Sequence, residues 1–263
     1  METATHAAYI EGLRSRLEIA AHASVHAPEL SALFAELRNA LEAGMVRVAE
    51  PVNGAWIVNV WVRKALLASV QAGTLTIQPG PFPGTELDTM PWRNAPFPGC
   101  RIPAGSYVRH SAHLEPGVTV MPGTVIHMGA YIGAGTMIDS HVMIGACAQI
   151  GRSVNIGCQT AIGGILLPLE ASPNIIEDEV ILGYNCGVFD SVRIGAQSVI
   201  AANTTISGPA GVYDAVDKVW LRSDAAGPLT IPPGSVVTMG IQDLDAEAPV
   251  VRTLVPVIVD RRS

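Results

Sequence analysis

The stretch IGAGTMIDSHVMIGACAQIGRSVNIG, residues 132–157, places isoleucine at every sixth position. The spacing extends in both directions, with an aliphatic residue at eleven successive marks from Ile102 to Ile162. After an interruption it resumes at Ile176 and continues to Ile206. Residues two places before these marks are small or β-branched. The alternative, a β-sandwich in which this spacing arose by chance, does not account for so long a run.

A period of six fits neither an α-helix nor a simple β-strand, but it fits a short strand followed by a tight turn. Three such units make one coil of a parallel β-helix, so equivalent positions lie 18 residues apart. The marked aliphatic residues are expected to fill the axis of a triangular prism, with small or turn-forming residues at its corners. We expect the winding to be left-handed, as is typical of such hexapeptide repeats, against the usual right-handed crossover preference.

The composition restricts the class of protein. The 263 residues are 49% hydrophobic and 15% charged and include 26 glycines, which indicates a large aliphatic core with many turns. A net charge of −7 without a Lys/Arg cluster argues against a nucleic-acid partner. The four cysteines form no C-x-x-C pair, and the chain lacks a signal-like start or a membrane-length apolar run. We therefore expect a cytoplasmic protein with reduced thiols and no membrane partner.

The sequence divides into four parts. Residues 1–75 are expected to form a mainly helical domain, because residues 30–44 carry an apolar stripe at helical spacing that ends at Gly44. Residues 76–100 are a proline-rich linker. The β-helix is assigned to residues 101–240, and residues 241–263 to a C-terminal strand and tail that close the end of the prism.

Residues 163–175 interrupt the repeat. The interval from Ile162 to Ile176 has eight residues more than one repeat needs, so this segment must leave the prism as a loop. Its apolar ILLPL sequence would be unfavourable in water. We expect it to pack on a neighbouring subunit.

Five segments carry a resemblance to a known family. They are RVAEPVNGAWIVNVWVRKALL (47–67), GAYIGAGTMIDS (129–140), IGACAQIGRSVNIG (144–157), AIGGILLPLEASPNIIEDEVILG (161–183) and IPPGSVV (231–237). Together they resemble the tetrahydrodipicolinate N-succinyltransferase family, acyltransferases of bacterial lysine biosynthesis by way of diaminopimelate. The resemblance runs from about residue 38 to residue 240.

The resemblance implies a homotrimer with grooves between adjacent prisms, no permanently bound cofactor, and succinyl-CoA as the acyl-CoA co-substrate. It implies an acceptor of the 2-amino-6-oxopimelate type. It also implies that Asp139, in the segment GTMID, takes part in proton transfer. At a spacing of 18, Asp139 should lie between Met121 and Gly157 at a corner of the prism. The alternative, an aspartate that only caps a turn, stays open.

The chain departs from the family pattern around the acceptor. The family's Ser-Gly-Gly run is replaced by Gly157, Cys158 and Gln159, and a family glutamate falls on Gly187. The later carboxylate of the same family segment is matched by Asp190. A family tryptophan is replaced by His141 and an asparagine by His127. These departures indicate a rebuilt acceptor site.

Several residues are candidates for chemistry or binding. An imidazole titrates near neutrality, so His141 is a candidate catalytic group beside Asp139, and His127 a candidate substrate contact; either could be an exposed turn residue. Cys158 could carry an acyl group or simply pack. Arg109, Arg152 and Arg193 could pair with a carboxylate or with nucleotide phosphates, or could be solvated. Four residues are expected to contact acyl-CoA: Gly163, Gly164, Ala201 and Arg193.

Three functions remain in competition. The first is N-acylation of a small amine, either the lysine-pathway reaction or a diverged reaction with another donor or amine. In that chemistry the amine must lose a proton, and backbone N–H groups at glycine corners could stabilise the oxyanion. The second is a metal-dependent prism enzyme, which would need converging histidines from the set His110, His113, His127 and His141. The third is a non-catalytic trimeric scaffold. No metal is expected.

Overall fold

The computed structural model describes residues 2–22, 27–72, 75–78, 84–87, 97–169, 171–224, 227–243 and 252–262. A mainly helical N-terminal part precedes a left-handed parallel β-helix, as predicted. The helical part contains α1 (Glu2–His22), α2 (Ala27–Glu42), β1 (Ala49–Val52), β2 (Ala55–Val58) and α3 (Val60–Ala72). The amphipathic helix predicted at residues 30–44 is confirmed as α2, and Gly44 follows it in a left-handed conformation at φ 69°.

The predicted linker at residues 76–100 contains an element that proline content did not indicate. Strands β3 (Leu75–Gln78) and β4 (Gly84–Leu87) pair as an antiparallel hairpin. Residues 79–83 and 88–96 of the linker lie outside the described residues.

The prism is built from short strands whose order follows the repeat. They are β5 (Tyr107–Val108), β6 (His113–Leu114), β7 (Thr119–Val120), β8 (Val125–Ile126), β9 (Tyr131–Ile132), β10 (Met137–Ile138), β11 (Met143–Ile144), β12 (Gln149–Ile150), β13 (Asn155–Ile156), β14 (Ala161–Ile162), β15 (Ile175–Ile176), β16 (Ile181–Leu182), β17 (Gly187–Phe189), β18 (Val192–Ile194), β19 (Val199–Ile200) and β20 (Thr205–Ser207). The last elements are β21 (Val212–Asp214), β22 (Val219–Leu221), β23 (Leu229–Ile231), β24 (Ser235–Asp243) and β25 (Arg252–Arg261).

These strands form three faces. Face 1 runs β7-β10-β13-β16-β19 and continues through β24, β25, β21 and β22. Face 2 is β5-β8-β11-β14-β17-β20, and face 3 is β6-β9-β12-β15-β18-β23. We call the turns from face 1 to face 2 corner A, those from face 2 to face 3 corner B, and those from face 3 to face 1 corner C.

The register confirms the coil of 18 residues. Ile138 of β10 pairs in parallel with Val120 and Ile156 in the neighbouring coils. Because successive side chains of a strand point to opposite sides, the marked aliphatic residues point inward and their predecessors outward. Ile132, Ile138 and Ile144 are completely buried. Each such side chain contributes about 1.5–3 kcal/mol relative to exposure.

A long C-terminal strand lies at the end of face 1. β25 pairs antiparallel with β24, and its Ile258 is fully buried in the prism core. β24 extends to Asp243, three residues past the expected boundary at 240.

The helical part covers face 3 and corner B of the same chain. Its apolar core includes Met128 and Cys147 of the prism. The Arg47 guanidinium lies 3.5 Å from the ring centre of Tyr131 on face 3. By contrast, Tyr107 on face 2 is 51% exposed and Ile181 on face 1 is 45% exposed. The chain's own helices therefore leave surface on faces 1 and 2 open.

The interruption at residues 163–175 is a loop, as the spacing predicted, but its packing differs from the prediction. Ile165 is buried within the chain, and Leu166 packs against the apolar core of the helical part. Only Leu167 of these three is exposed, at 62%. The expected packing on a neighbouring subunit is wrong for Ile165, which is buried within its own chain, and stays a prediction for Leu166 and Leu167.

Arg63 of α3 connects the helical part to this loop. Its side chain is completely buried, and Nη2 donates a hydrogen bond to the carbonyl oxygen of Leu169. We expect Arg63→Met to release the loop, because the half-buried Leu169 carbonyl loses its charged donor. Hydrogen exchange should become faster at residues 165–172. The neighbouring exposed Lys64→Met is the control, and equal exchange in the two variants would contradict the role of Arg63.

Candidate active site

Corner A stacks Asp139 in a column with the equivalent residues of the neighbouring coils. The backbone N–H of Asp139 donates to Ile156 O at 3.0 Å, and that of Met121 donates to Ile138 O at 2.9 Å. The same ladder continues from Gly157 N to Leu182 O at 2.8 Å. Asp139 therefore lies between Met121 and Gly157, as the spacing predicted, and Gly183 and Ala201 continue the column.

The Asp139 carboxylate is half-buried and only partly used by its own turn. Oδ1 accepts a hydrogen bond from the N–H of Ser140 at 2.6 Å. The backbone carbonyl of Asp139 accepts from Thr124 Oγ1 at 2.8 Å, which fixes the corner. Oδ2 has no hydrogen-bond partner in the described part of the chain. Asp139 thus stabilises its turn and still has an oxygen that can accept a proton.

His141 lies at the same corner, two residues further on. Its backbone is left-handed at φ 58°, and the side chain is exposed. The imidazole lies on the coil below, since a Cβ built on Gly123 would be 2.3 Å from Nδ1. Gly123 itself has φ 80°, so both space and backbone conformation require glycine there. Asp139 and His141 share corner A.

The residues that replace the family's Ser-Gly-Gly run continue this corner in the next coil. A Cβ on Gly157 would lie 2.7 Å from the carbonyl carbon of Gly183, so stacked backbone leaves no space for a side chain. Cys158 is half-buried, and Gln159 is exposed in a left-handed conformation at φ 61°. Among the described residues, no base or cation is recorded in contact with the Cys158 thiol, so an acyl-carrying role has no support here.

The expected oxyanion donors are already occupied. The N–H groups of Gly157, Gly163 and Gly183 donate to Leu182 O, Val188 O and Ile200 O, each at 2.8 Å. These bonds are part of the ladder that joins the coils. Within the described ranges, the N–H groups of Cys158 at corner A and Gly164 at corner B have no partner and remain available as donors.

Arg109 and His127 stack along corner B, at the opposite edge of face 2. Their N–H groups donate to Ile126 O and Ile144 O, each at 2.9 Å, which places them in adjacent coils. Burial lowers the pKa of His127, and the positive charge of Arg109 lowers it further. His127 is therefore a neutral imidazole near neutral pH.

The lowered pKa of His127 predicts a pH-dependent stability. The unfolded chain binds the proton more readily than the folded chain, so acid favours unfolding through this residue. Between about pH 8 and about pH 5, the free energy of unfolding of the wild type should fall more than that of His127→Gln. Parallel pH dependence of the two proteins in urea unfolding would contradict this assignment.

Gly187 and Asp190 lie at the C-terminal end of face 2. Gly187 is buried between Ala161 and Thr205. Asp190 is exposed, and its Oδ2 accepts a hydrogen bond from Ser207 Oγ at 3.1 Å.

Sequence reasoning missed Phe189, which lies between Gly187 and Asp190. A Cβ on Gly187 would lie 2.5 Å from Phe189 Cε2, and a Cβ on Gly163 would lie 2.9 Å from Phe189 Cδ1. The ring therefore covers both glycines. The sequence contained a signal for this contact. Residues two places apart in a strand face the same side, so Phe189 is expected on the same outer surface as Gly187.

The expected acyl-CoA contacts do not all come together. Gly163 and Gly164 lie at the start of the loop, and Ala201 lies in the Asp139 column. Arg193 is on face 3, where its Nε donates to Glu177 Oε1 at 2.7 Å. Trp56 of the helical part donates to the same oxygen at 2.8 Å. The expected phosphate role of Arg193 is not supported, because its charge is paired on the covered face.

Arg152 and the remaining histidines lie outside this arrangement. Arg152 is an exposed corner C residue, 4.0 Å from Glu115. His110 contacts Glu42 Oε1 at 2.7 Å, and His113 contacts Glu42 O at 2.9 Å, both beneath the helical part. In the described ranges, no group of three or more His, Cys, Asp or Glu side chains is arranged to hold a metal.

The described helices do not meet the requirements of a membrane span, and they line a cavity. None of them combines the length and apolar character that crossing a membrane requires. A cavity of about 1310 Å³ lies among α1, α2, α3 and β2, and none of the corner A or face 2 candidates lines it.

Comparison with known proteins supports the resemblance in both halves of the chain. Residues 14–71 match the family model described as tetrahydrodipicolinate N-succinyltransferase N-terminal. Residues 173–207 match the model described as hexapeptide repeat of succinyl-transferase.

Curated relatives share much of the chain. Each of the following is named 2,3,4,5-tetrahydropyridine-2,6-dicarboxylate N-succinyltransferase. The protein from Granulibacter bethesdensis is 45% identical over 204 residues, covering 74% of this chain and 72% of the relative. That from Beijerinckia indica is 42% identical, covering 76% and 72%. That from Chromobacterium violaceum is 38% identical, covering 81% and 78%.

Solved structures are more distant. A putative 2,3,4,5-tetrahydropyridine-2-carboxylate N-succinyltransferase from Campylobacter jejuni is 14% identical, with a TM-score of 0.41 over 84% of this chain and 61% of that chain. PerB from Caulobacter crescentus, in complex with CoA and GDP-perosamine, is 13% identical, with a TM-score of 0.30 over 53% of this chain and 51% of that chain. The curated relatives, at much higher identity and coverage, decide the assignment: this chain belongs to the tetrahydrodipicolinate N-succinyltransferase family.

Proposed function

We propose that this protein is an acyl-CoA-dependent N-acyltransferase that works at face 2, with Asp139 as the proton acceptor. The observation that carries the proposal is the half-buried Asp139 carboxylate, held at a stacked corner with one oxygen left unbonded within the described part of the chain. The first amine substrate to consider is of the 2-amino-6-oxopimelate type, with succinyl-CoA as the acyl donor, because the curated relatives are named for N-succinyl transfer.

The chemistry requires one proton acceptor and stabilisation of one oxyanion. The acceptor's amine attacks the thioester carbonyl carbon, and the N–H proton passes to Asp139. The tetrahedral oxyanion can be met by backbone donors such as the Cys158 N–H at corner A. The intermediate then expels the CoA thiolate, which takes up a proton, and the product is an amide. We assign His141, at the same corner, and neutral His127, at corner B, a role in proton movement or in binding the amine substrate.

We also propose that the working form is a homotrimer in the cytoplasm. The exposed residues Tyr107 on face 2 and Ile181 on face 1 support assembly, because the described helices pack on face 3 and corner B. A cleft shared by two prisms would be completed only in the assembly, so a single chain need not enclose it. The four free cysteines support a reducing compartment.

A thiol-release assay tests the activity. Acetyl-CoA and succinyl-CoA are offered with a panel of amino dicarboxylates and amino monocarboxylates, and acylated products are identified by mass spectrometry. Amine-dependent release of CoA is expected, faster with succinyl-CoA. Equal inactivity with every donor and amine would favour the scaffold function instead.

A second candidate is the same reaction with a different small amine. The observation that favours it is the Phe189 ring, which lies where a side chain on Gly187 would project. A carboxylate at position 187 would have to displace this ring. The acceptor end of the site is therefore built differently from one that carries a glutamate there.

A further inference from the structure

The peptide group between Asp139 and Ser140 connects the Asp139 carboxylate to the coil below. Its carbonyl oxygen accepts a hydrogen bond from Thr124 Oγ1 at 2.8 Å. Its N–H donates to Asp139 Oδ1 at 2.6 Å. A trans peptide group is planar, and its C=O and N–H point in opposite directions, so holding the carbonyl also fixes the direction of the N–H. Thr124 therefore acts on the orientation of the carboxylate through one rigid unit.

Thr124 is itself a rigid support. Its side chain is fully buried inside corner A, in the coil below Asp139. A β-branched side chain has few rotamers, and a buried hydroxyl keeps a bond whose loss would leave an unsatisfied group. With the carbonyl held from below and Oδ1 held by Ser140 N, the direction of Oδ2 is set by the geometry of the carboxylate. Oδ2 is the oxygen left to accept a proton.

The same stretch of the coil below also holds the other end of this turn. The N–H of His141 donates to Pro122 O at 3.2 Å. The His141 imidazole lies over Gly123, since a Cβ there would be 2.3 Å from Nδ1. Residues 122–124 therefore support both candidate groups of the turn, and Thr124 is the member that bonds the Asp139 end.

A corner of this prism can form without a hydroxyl at the position of Thr124. Val142 occupies that position in the next coil, because the strands that follow the two residues pair in register. Val142 is buried, and the corner above it still turns, with Thr160 N donating to Gly157 O at 3.3 Å. Valine is therefore tolerated here, and the Thr124 hydroxyl is available for a role beyond forming the turn.

We propose that Thr124 is a positioning residue of the candidate active site: its hydroxyl orients the Asp139 carboxylate for proton transfer and touches neither the amine nor CoA. This inference rests on the proposed N-acyltransferase function and adds a residue to that site. A displacement of about 1 Å in a reacting group can cost about 100-fold in rate. One buried hydrogen bond behind the carboxylate is therefore expected to affect turnover.

The prism carries a matched control at corner C. Thr136 is also fully buried, and its Oγ1 donates to Gly151 O at 2.9 Å. The N–H of the same peptide group, that of Arg152, donates to Asp178 Oδ1 at 2.8 Å. Threonine, peptide group and carboxylate are thus arranged as they are at Asp139, but away from the corner A candidates. Thr136→Val should lower the thermal unfolding midpoint about as much as Thr124→Val does, without lowering turnover.

Steady-state kinetics of CoA release test the proposal, with succinyl-CoA as donor and the panel amine that the wild type acylates fastest, 2-aminopimelate being the first one tried. Thr124→Val should lower kcat at least about tenfold and change KM about twofold or less. Thr124→Ser keeps the hydroxyl and should retain most of the turnover. In the Asp139→Asn background, Thr124→Val should cause no further loss of kcat, because no base remains to be oriented. Thr124→Ala gives the same test with a smaller side chain should valine impair folding.

The outcomes separate this inference from the function on which it rests. Unchanged kcat in Thr124→Val, or an equal loss in Thr136→Val, overturns the positioning role while acyl transfer stands. The same fold loss in the presence and absence of the Asp139 carboxylate also overturns it, because Thr124 would then act through something else. Absence of amine-dependent CoA release by the wild type with every amine of the panel overturns the proposed function, and the inference falls with it.

Discussion

Asp139→Asn is expected to lower amine-dependent CoA release by about 100-fold or more, because general-base catalysis contributes about 10²–10⁴ to such reactions. The substitution is nearly isosteric. The amide oxygen of asparagine can still accept the hydrogen bond that Ser140 N now donates to Oδ1. The turn should therefore persist while the proton acceptor is lost, and kcat should fall more than KM changes.

A matched control exists on another corner of the prism. Asp178 is an exposed corner C residue whose Oδ1 accepts the Arg152 N–H at 2.8 Å, the same kind of bond that Asp139 makes. Asp178→Asn should leave turnover unchanged. Unchanged turnover in Asp139→Asn would remove this carboxylate from the mechanism and leave it as a turn cap.

Ile156→Ala is expected to reduce the free energy of unfolding by about 2–5 kcal/mol. Ile156 is fully buried at the axis, stacked between Ile138 and Leu182 of the adjacent coils. Repeating coils allow little collapse around a missing side chain, since each coil is hydrogen-bonded to both neighbours. Urea unfolding of the purified protein measures the change.

The adjacent residue supplies the control for this measurement. Asn155 precedes Ile156 in β13 and is exposed on the outer side of face 1. Asn155→Ala should change the free energy of unfolding by about 0.5 kcal/mol or less. Equal effects of the two substitutions would contradict an interior filled by the marked aliphatic residues.

The prism could be predicted from the sequence because its period is set by a strict physical requirement. Each coil must place an aliphatic side chain on the axis, and Ile132, Ile138 and Ile144 do so in successive strands. The same arithmetic placed Asp139 between Met121 and Gly157. The six-residue spacing also identified residues 163–175 as a loop, because the spacing is interrupted there.

The parts that the sequence did not predict depend on contacts between distant segments. Arg193 is paired because Glu177, the residue that follows the neighbouring strand β15, lies beside it. Leu166 packs within the chain because the helical part covers corner B. Phe189 covers Gly163 because the 25 residues of chain between them return to the same edge of face 2. None of these pairings follows from a period of six.

The most direct test of the central claim is an experimental structure of the protein with CoA and an unreactive acceptor analogue bound. The CoA sulfur is expected at face 2 beside corner A, with the nitrogen of the amine substrate analogue within about 3 Å of the Asp139 carboxylate. CoA bound in the cavity among α1, α2 and α3, or on face 3 beside Arg193, with Asp139 in contact with neither ligand, would contradict it.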